Sequence, residues 1–170
     1  TTDNAVDLMI DIEKNGGASG VFFQMDEKDV EDLMRLPYNM HASDGGVRVK
    51  GEGIPHPRNY GTFPRVIAHF VRERGIISLE EAVKKMTSLP AQTLRLNNRG
   101  IIREGLYADL TIFDRNTFAD KATFPNPHQY SQGLMYVIVN GELVVEKGKH
   151  TGGLPGMVLY GYGKDSGEKK

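Results

Sequence analysis

With 170 residues, 39% of them hydrophobic and 25% charged, the chain can bury a sizeable core and has the composition of a soluble globular protein of one or two domains. Its 21 basic and 22 acidic residues, interspersed and summing to −1, supply neither the cationic stripe that nucleic acid needs nor a membrane-binding face. The absence of cysteine excludes disulfides, thiolate nucleophiles and thiolate metal sites, and leaves His, Asp and Glu as possible ligands.

Thr1, Thr2 and Asp3 are cap-type residues, and Val6, Met9 and Ile10 follow at i, i+3, i+4 before Gly16-Gly17, so a helix with a glycine stop is expected over 1–15. Val21-Phe22-Phe23-Gln24-Met25 is β-branched and aromatic without polar alternation, the pattern of a strand covered on both faces. Asp26 can cap a second helix with Val30, Leu33 and Met34 inward and Pro37 beyond its end. Tyr38 to Ser43 then reads as a second strand. Strands joined by helices in right-handed crossovers form parallel sheets, and two such strands cannot stand alone, so this part is expected to be the end of a longer α/β array. No apolar run approaches the roughly 20 residues that span a bilayer, and no charged-then-apolar leader opens the chain; a cytoplasmic location is the expectation.

A buried strand that stops at Ser43-Asp44-Gly45 delivers a carboxylate to its C-terminal end, where parallel α/β folds place their chemistry. The loop that follows, rich in Gly, Pro, His, Arg and Tyr, is too long for a plain connector and is expected to form a lid or pocket wall. A helix is expected from Thr62 or Phe63, with Pro64 in its first turn, Val66, Ile67, Phe70 and Val71 inward, and Gly75 as its stop. Ser78-Leu79-Glu80-Glu81 is a capping box for another helix through Ala82, Val83 and Met86, ending before Leu89-Pro90. From Gly100 the period changes: Ala108 to Phe113 reads as a strand, and Val137 to Val145 as a hairpin turning at Asn140-Gly141. The polar, glycine-bearing 161–170 reads as a flexible tail.

Several of these segments carry a resemblance. Ser43-Asp44-Gly45, then His56-Pro57-Arg58-x-Tyr60-Gly61-Thr62-Phe63-Pro64-Arg65, then Gly105-x-x-Ala108-Asp109-Leu110-Thr111-Ile112-Phe113-Asp114, Ala122 to Tyr130, Val139-Asn140-Gly141 and Thr151-Gly152-Gly153-x-Pro155-Gly156 together resemble the C-terminal part of D-aminoacylases. These are the N-acyl-D-amino-acid deacylases of the amidohydrolase superfamily. The resemblance implies a zinc-dependent hydrolase built on a (β/α)8 barrel with a small β-sandwich. Residues 1–98 would be the end of the barrel, holding its last two strands and covering helices, and 99–160 would belong to the sandwich. It also implies that Asp44 sits at the metal centre as a ligand and exchanges a proton with the attacking water and the leaving amine, and that Arg58 binds the substrate α-carboxylate. Ser43, Gly45, His56 and Tyr60 are candidate substrate contacts around them. The family's His-x-His, bridging cysteine and two later histidines have no counterpart here, so zinc is expected in a full-length enzyme, with the N-terminal portion of the barrel as partner and an N-acyl amino acid as substrate. The chain alone is expected to hold no zinc and to be inactive.

The other candidates have plainer readings. His41 precedes Asp44 by three on the expected strand, which puts the two on opposite faces, so His41 is expected to pack the barrel. His69, beside Phe70, reads as packing or surface, and His128 and His150 as belonging to the β-rich end away from chemistry. The Glu and Lys residues at 80–85 and 142–149 read as solvated faces. The competing functional reading is a non-catalytic truncated homologue that serves as an interaction or structural domain.

Overall fold

The computed structural model describes residues 4–18, 20 and 24–160, and the chain divides into two compact units, Thr1–Val30 and Glu31–Lys170. In the first unit, helix α1 (Ala5–Lys14) is capped by Asn4, whose side chain accepts the Val6 N–H at 2.9 Å, and it stops before Gly16 at φ +97°. Its apolar triplet Val6, Met9 and Ile10 is exposed. The expected strand Val21–Met25 falls largely outside the described residues; Gln24 and Met25 are not in a strand.

Helix α2 (Glu27–Arg35) opens as expected, with Asp26 accepting the Lys28 N–H at 2.7 Å. Met34 is buried, but Leu33 is 52% exposed rather than inward. The inward face is set by Glu31 and Met34, and Leu33 lies about 200° around the helix from Glu31. Glu31 is held there by Arg74, whose guanidinium donates to its carboxylate.

Tyr38 to Ser43, expected as a strand, is not one. No parallel neighbour lies beside it among the described residues, and it is instead clamped from one side by helix α4 (Leu79–Met86). The Lys85 ammonium donates to Leu36 O and, at 3.3 Å, to Asn39 O, while Lys85 O accepts the His41 N–H at 3.2 Å. Lys85 was expected on a solvated face, yet its side chain is 1% exposed. The two carbonyls solvate the charge that burial would otherwise penalise, and Glu81 Oε1 lies 4.0 Å away.

Helix α3 (Arg58–Arg65) begins four residues before Thr62, because Pro57 supplies a helical φ of −51° and His56 Nδ1 accepts the Arg58 N–H at 3.0 Å. Pro64, then, lies inside the helix. It has no N–H to give its rung of the ladder, and past the Val66 N–H bond to Thr62 O the chain widens into a π-helix, Val66–Glu73. That segment buries Val66, Ile67, Ala68 and Phe70, each large side chain contributing about 1.5–3 kcal/mol of apolar burial. It ends at Gly75, φ +61°, with the Ile76 N–H on Phe70 O at 2.8 Å. Ser78 caps the helix as expected, its Oγ accepting the Glu81 N–H at 3.1 Å. A short helix α5 (Ser88–Thr93) takes Pro90 in its first turn, where a missing N–H is tolerated.

The four-stranded sheet is an antiparallel meander of β1 (Leu110–Phe113), β2 (Leu134–Val139), β3 (Glu142–Glu146) and β4 (Lys149–His150). Val139 faces Glu142 across Asn140-Gly141, whose φ values of +50° and +84° are those of a type I′ turn. Ala108 and Asp109 hold the turn from behind: Asp109 Oδ1 accepts the Asn140 N–H at 2.8 Å and Ala108 O accepts the Gly141 N–H at 3.0 Å. Among the described residues no helix is long and apolar enough to cross a membrane.

Candidate functional site

Ser43, Asp44 and Gly45 leave the clamped segment in a tight turn. Ser43 Oγ accepts the Gly45 N–H at 3.2 Å, and Asp44 sits at φ +46°, a left-handed conformation that Asp accepts more readily than most side chains. Gly45 is required by approach rather than by φ: a Cβ there would lie 3.0 Å from Asn59 Cα and 3.4 Å from Arg58 O. The turn therefore rests on the first turn of α3, and Asn59 Nδ2 fixes it by donating to Gly46 O at 2.8 Å.

This brings the two principal candidates together. Arg58 Nη2 lies 2.8 Å from Asp44 Oδ2, with side chains 43% and 87% exposed. A pair this solvated contributes about 0–1 kcal/mol, so stability does not account for it. Chemically it joins an acceptor of protons to a planar cation with five N–H donors, only part of which one carboxylate can occupy.

His56, Tyr60 and Gly45 have partners within the protein. The His56 ring meets the edge of Phe124 at 4.9 Å between centroids. Burial, and next the nearby Arg58 charge, hold its imidazole below the ordinary value, which keeps Nδ1 as the acceptor that starts α3. Tyr60 Oη lies 3.1 Å from His128 Nδ1, and its ring packs on Tyr130 at 5.6 Å. His128, read from sequence as remote from this region, in fact touches it. The segment Ala122 to Tyr130 backs the loop that joins Asp44 to Arg58.

That loop is a pocket wall. A cavity of about 510 Å³ is lined by Gly45, Gly46, Arg48, Asn59 and Tyr60 on one side and by residues that include Tyr130 and His150 on the other. Asp44 and Arg58 border it through their neighbours and do not line it. Asn59, Lys85 and His128 were missed as contributors. Asn59 lies within the His-Pro-Arg-x-Tyr motif and was the one open to detection.

His41 is half-buried, not on a strand, and its backbone N–H donates to Lys85 O. Burial, and then the Lys85 charge, push its imidazole below the ordinary value, and its Nε2 is buried without a partner among the described residues. His69 pairs with Glu73 at 3.0 Å and packs edge-on against Phe70. A zinc site uses at least three protein ligands. Asp44 can offer one, and among the described residues no group of three His, Cys, Asp or Glu side chains is placed to hold a metal. These residues do not by themselves fit the zinc that the resemblance implies.

The sequence model of the amidohydrolase family matches residues 17–145. D-aminoacylase of Alcaligenes xylosoxydans xylosoxydans is 42% identical over 142 residues, which is 84% of this chain and 29% of that protein. A crystal structure of D-aminoacylase, described as defining a novel subset of amidohydrolases, superposes with a TM-score of 0.77 at 42% identity, covering 84% of this chain and 30% of that one. N-acyl-D-glutamate deacylase from Bordetella bronchiseptica, solved with zinc and a phosphonate mimic of the tetrahedral intermediate, superposes with a TM-score of 0.67 at 41% identity over 72% of this chain and 25% of that one. The chain spans between a quarter and three-tenths of the length of these relatives, and its small antiparallel sheet and helices have amidohydrolases as structural neighbours. By its matched length and its identity to them, the chain belongs to the amidohydrolase family.

Proposed function

We propose that this chain is the C-terminal part of an amidohydrolase that cleaves the amide bond of N-acyl-D-amino acids. Residues 1–98 complete a (β/α)8 barrel and 99–160 contribute to a β-sandwich, with the N-terminal portion of the protein supplying the rest of the barrel and the remaining ligands for zinc. Asp44 takes a proton from the attacking water and returns it to the leaving amine. Arg58 holds the substrate α-carboxylate with the donors that Asp44 leaves free, and Ser43, Gly45, His56 and Tyr60 shape the surroundings.

The observation that carries this reading is the 2.8 Å approach of Arg58 to Asp44. A substrate whose carboxylate sits on that guanidinium has its scissile amide within a few bonds of the carboxylate that moves the proton. The test is kcat/KM of the full-length protein for an N-acetyl-D-amino acid and for its decarboxylated analogue, in parent and Arg58→Lys. A compact ammonium cannot reproduce the planar fork, so the preference for the acid should fall by roughly tenfold or more. An unchanged ratio would make Arg58 structural. The 170-residue chain alone, given zinc and millimolar substrate, is expected to show no turnover above buffer.

A further inference from the structure

His128 has no part in that scheme, yet it joins three separate pieces of the molecule. Its Nδ1 accepts the Gly51 N–H at 3.2 Å and lies 3.1 Å from Tyr60 Oη, while its Nε2 lies 3.0 Å from Gly53 O. Gly51 N–H can only donate and Gly53 O can only accept, so Nδ1 serves as the acceptor and Nε2 as the donor. Both ring nitrogens are thus spent on the two ends of one turn, and the Tyr60 hydroxyl ties that turn to helix α3.

The turn has little else to hold it. Glu52 N–H reaches Val49 O at 3.2 Å, Gly51 and Gly53 have φ of +93° and +64°, and a Cβ at either would meet nothing within 4 Å. Val49 and Ile54 are exposed, so apolar burial does not fasten it. Lys50 reaches over the Tyr130 ring at 4.5 Å to its centroid, a contact worth little in water. The turn lies midway along the loop whose two ends are Asp44 and Arg58.

We propose that His128 is a positioning residue, the holdfast that pins the Val49–Gly53 turn and Tyr60 and so fixes the loop between Asp44 and Arg58. Its bearing on catalysis rests on the function proposed above; the pinning itself does not. Without the imidazole, the turn opens and the middle of the loop, with the pocket wall it forms beside Tyr60, loses its fixed conformation, while Asn59 still holds Gly46 beside α3.

Limited trypsin digestion of the full-length protein reads the pinning directly, because cleavage after Arg48 and Lys50 requires the turn to open. His128→Leu should raise the rate at those two bonds roughly tenfold, with cleavage at other sites unchanged. His128→Asn sets an amide oxygen near the Nδ1 position and forfeits only the bond to Gly53 O, so it should be intermediate, at roughly threefold. Equal cleavage after Arg48 and Lys50 in parent and His128→Leu overturns the proposal; should the leucine variant not fold, equal cleavage in parent and His128→Asn does the same. In kinetic assays with N-acetyl-D-amino acids, His128→Leu should act mainly through KM, since the 49–53 turn belongs to the pocket wall, whereas Gly45 and Gly46 next to Asp44 stay anchored on α3 through Asn59. A protein that proves inactive on these substrates would sink the deacylase reading and leave the digestion result to decide the role of His128.

Discussion

Lys85→Met keeps the length of a buried side chain and removes the ammonium that fastens the segment leading to Asp44. Hydrogen bonds from a charged donor contribute about 1.5–3 kcal/mol each, and Lys85 makes two, to Leu36 O and Asn39 O. Two effects reduce the sum. The side chain is 1% exposed, so methionine relieves a desolvation penalty, and Leu36 and Asn39 are half-buried, which lets water reach their carbonyls once the ammonium is gone. A net local loss of about 1–3 kcal/mol remains. Amide exchange at His41 is the direct assay, since that N–H donates to Lys85 O at 3.2 Å and opens with the segment. At about 1.4 kcal/mol per factor of ten, exchange in the full-length variant should accelerate by roughly 5- to 150-fold, with the amides of β2 and β3 unaffected. Acceleration of less than about twofold at His41 would mean that contacts other than Lys85 hold the segment, and the argument from its two carbonyls would fail.

Three further outcomes are expected. On the function proposed above, Asp44→Asn in the full-length protein is nearly isosteric but cannot take up a proton, so kcat should fall by roughly 10²- to 10⁴-fold, and a loss under about threefold at unchanged metal content would remove Asp44 from the chemistry. Because burial and the Lys85 charge lower the His41 pKa, the unfolded chain binds more protons there than the folded one. Its contribution to stability is therefore fully present above the ordinary value of 6.5 and is lost as pH falls through the lower folded value; denaturant midpoints across that window should drop less in His41→Asn than in the parent. Asp109→Asn removes the charge that pairs with Arg99, whose side chain is 10% exposed, and should destabilise the hairpin by about 1–3 kcal/mol, read as faster amide exchange at Asn140 and Gly141.

What could be read from the chain itself was whatever is decided within a few residues. The Ser78 cap on Glu81 and the Asn140-Gly141 turn form as expected because each partner lies within three positions of the other. Asp44 and Arg58 were legible as candidates through their motifs, but their pairing was not, since it depends on Gly45 lying flush against α3. Lys85 was misread because a long cation on a helix is normally solvated, and its burial depends on carbonyls that lie 49 and 46 positions away. Tyr38 to Ser43 has the composition of a strand, but a strand exists only where a neighbour completes its ladder. His128 was dismissed by its place in a β-rich stretch, whereas its partners Gly51 and Gly53 come from 77 and 75 positions earlier. The π-helix after Pro64 is a slip in backbone register, which apolar spacing does not encode.

The hairpin turn also bears on how this protein would age in storage. Asparagine followed by glycine is the dipeptide most prone to deamidation, because the glycine nitrogen can attack the preceding carboxamide and close a succinimide ring. The chain has two such steps, Asn15-Gly16 and Asn140-Gly141. At the second, the nucleophile is occupied on Ala108 O at 3.0 Å, and the carboxamide is stretched between Pro155 O at 2.7 Å and Arg99 Nη2 at 3.4 Å, so cyclisation must wait for the hairpin to open. At the first, the Gly16 N–H is held by Glu13 O at 3.2 Å and the carboxamide by Asp11 O at 2.7 Å, both at the end of an exposed helix where fraying costs almost nothing. Isoaspartate should therefore accumulate at position 15 long before position 140, and its appearance at 140 would serve as a chemical clock for unfolding of the sheet.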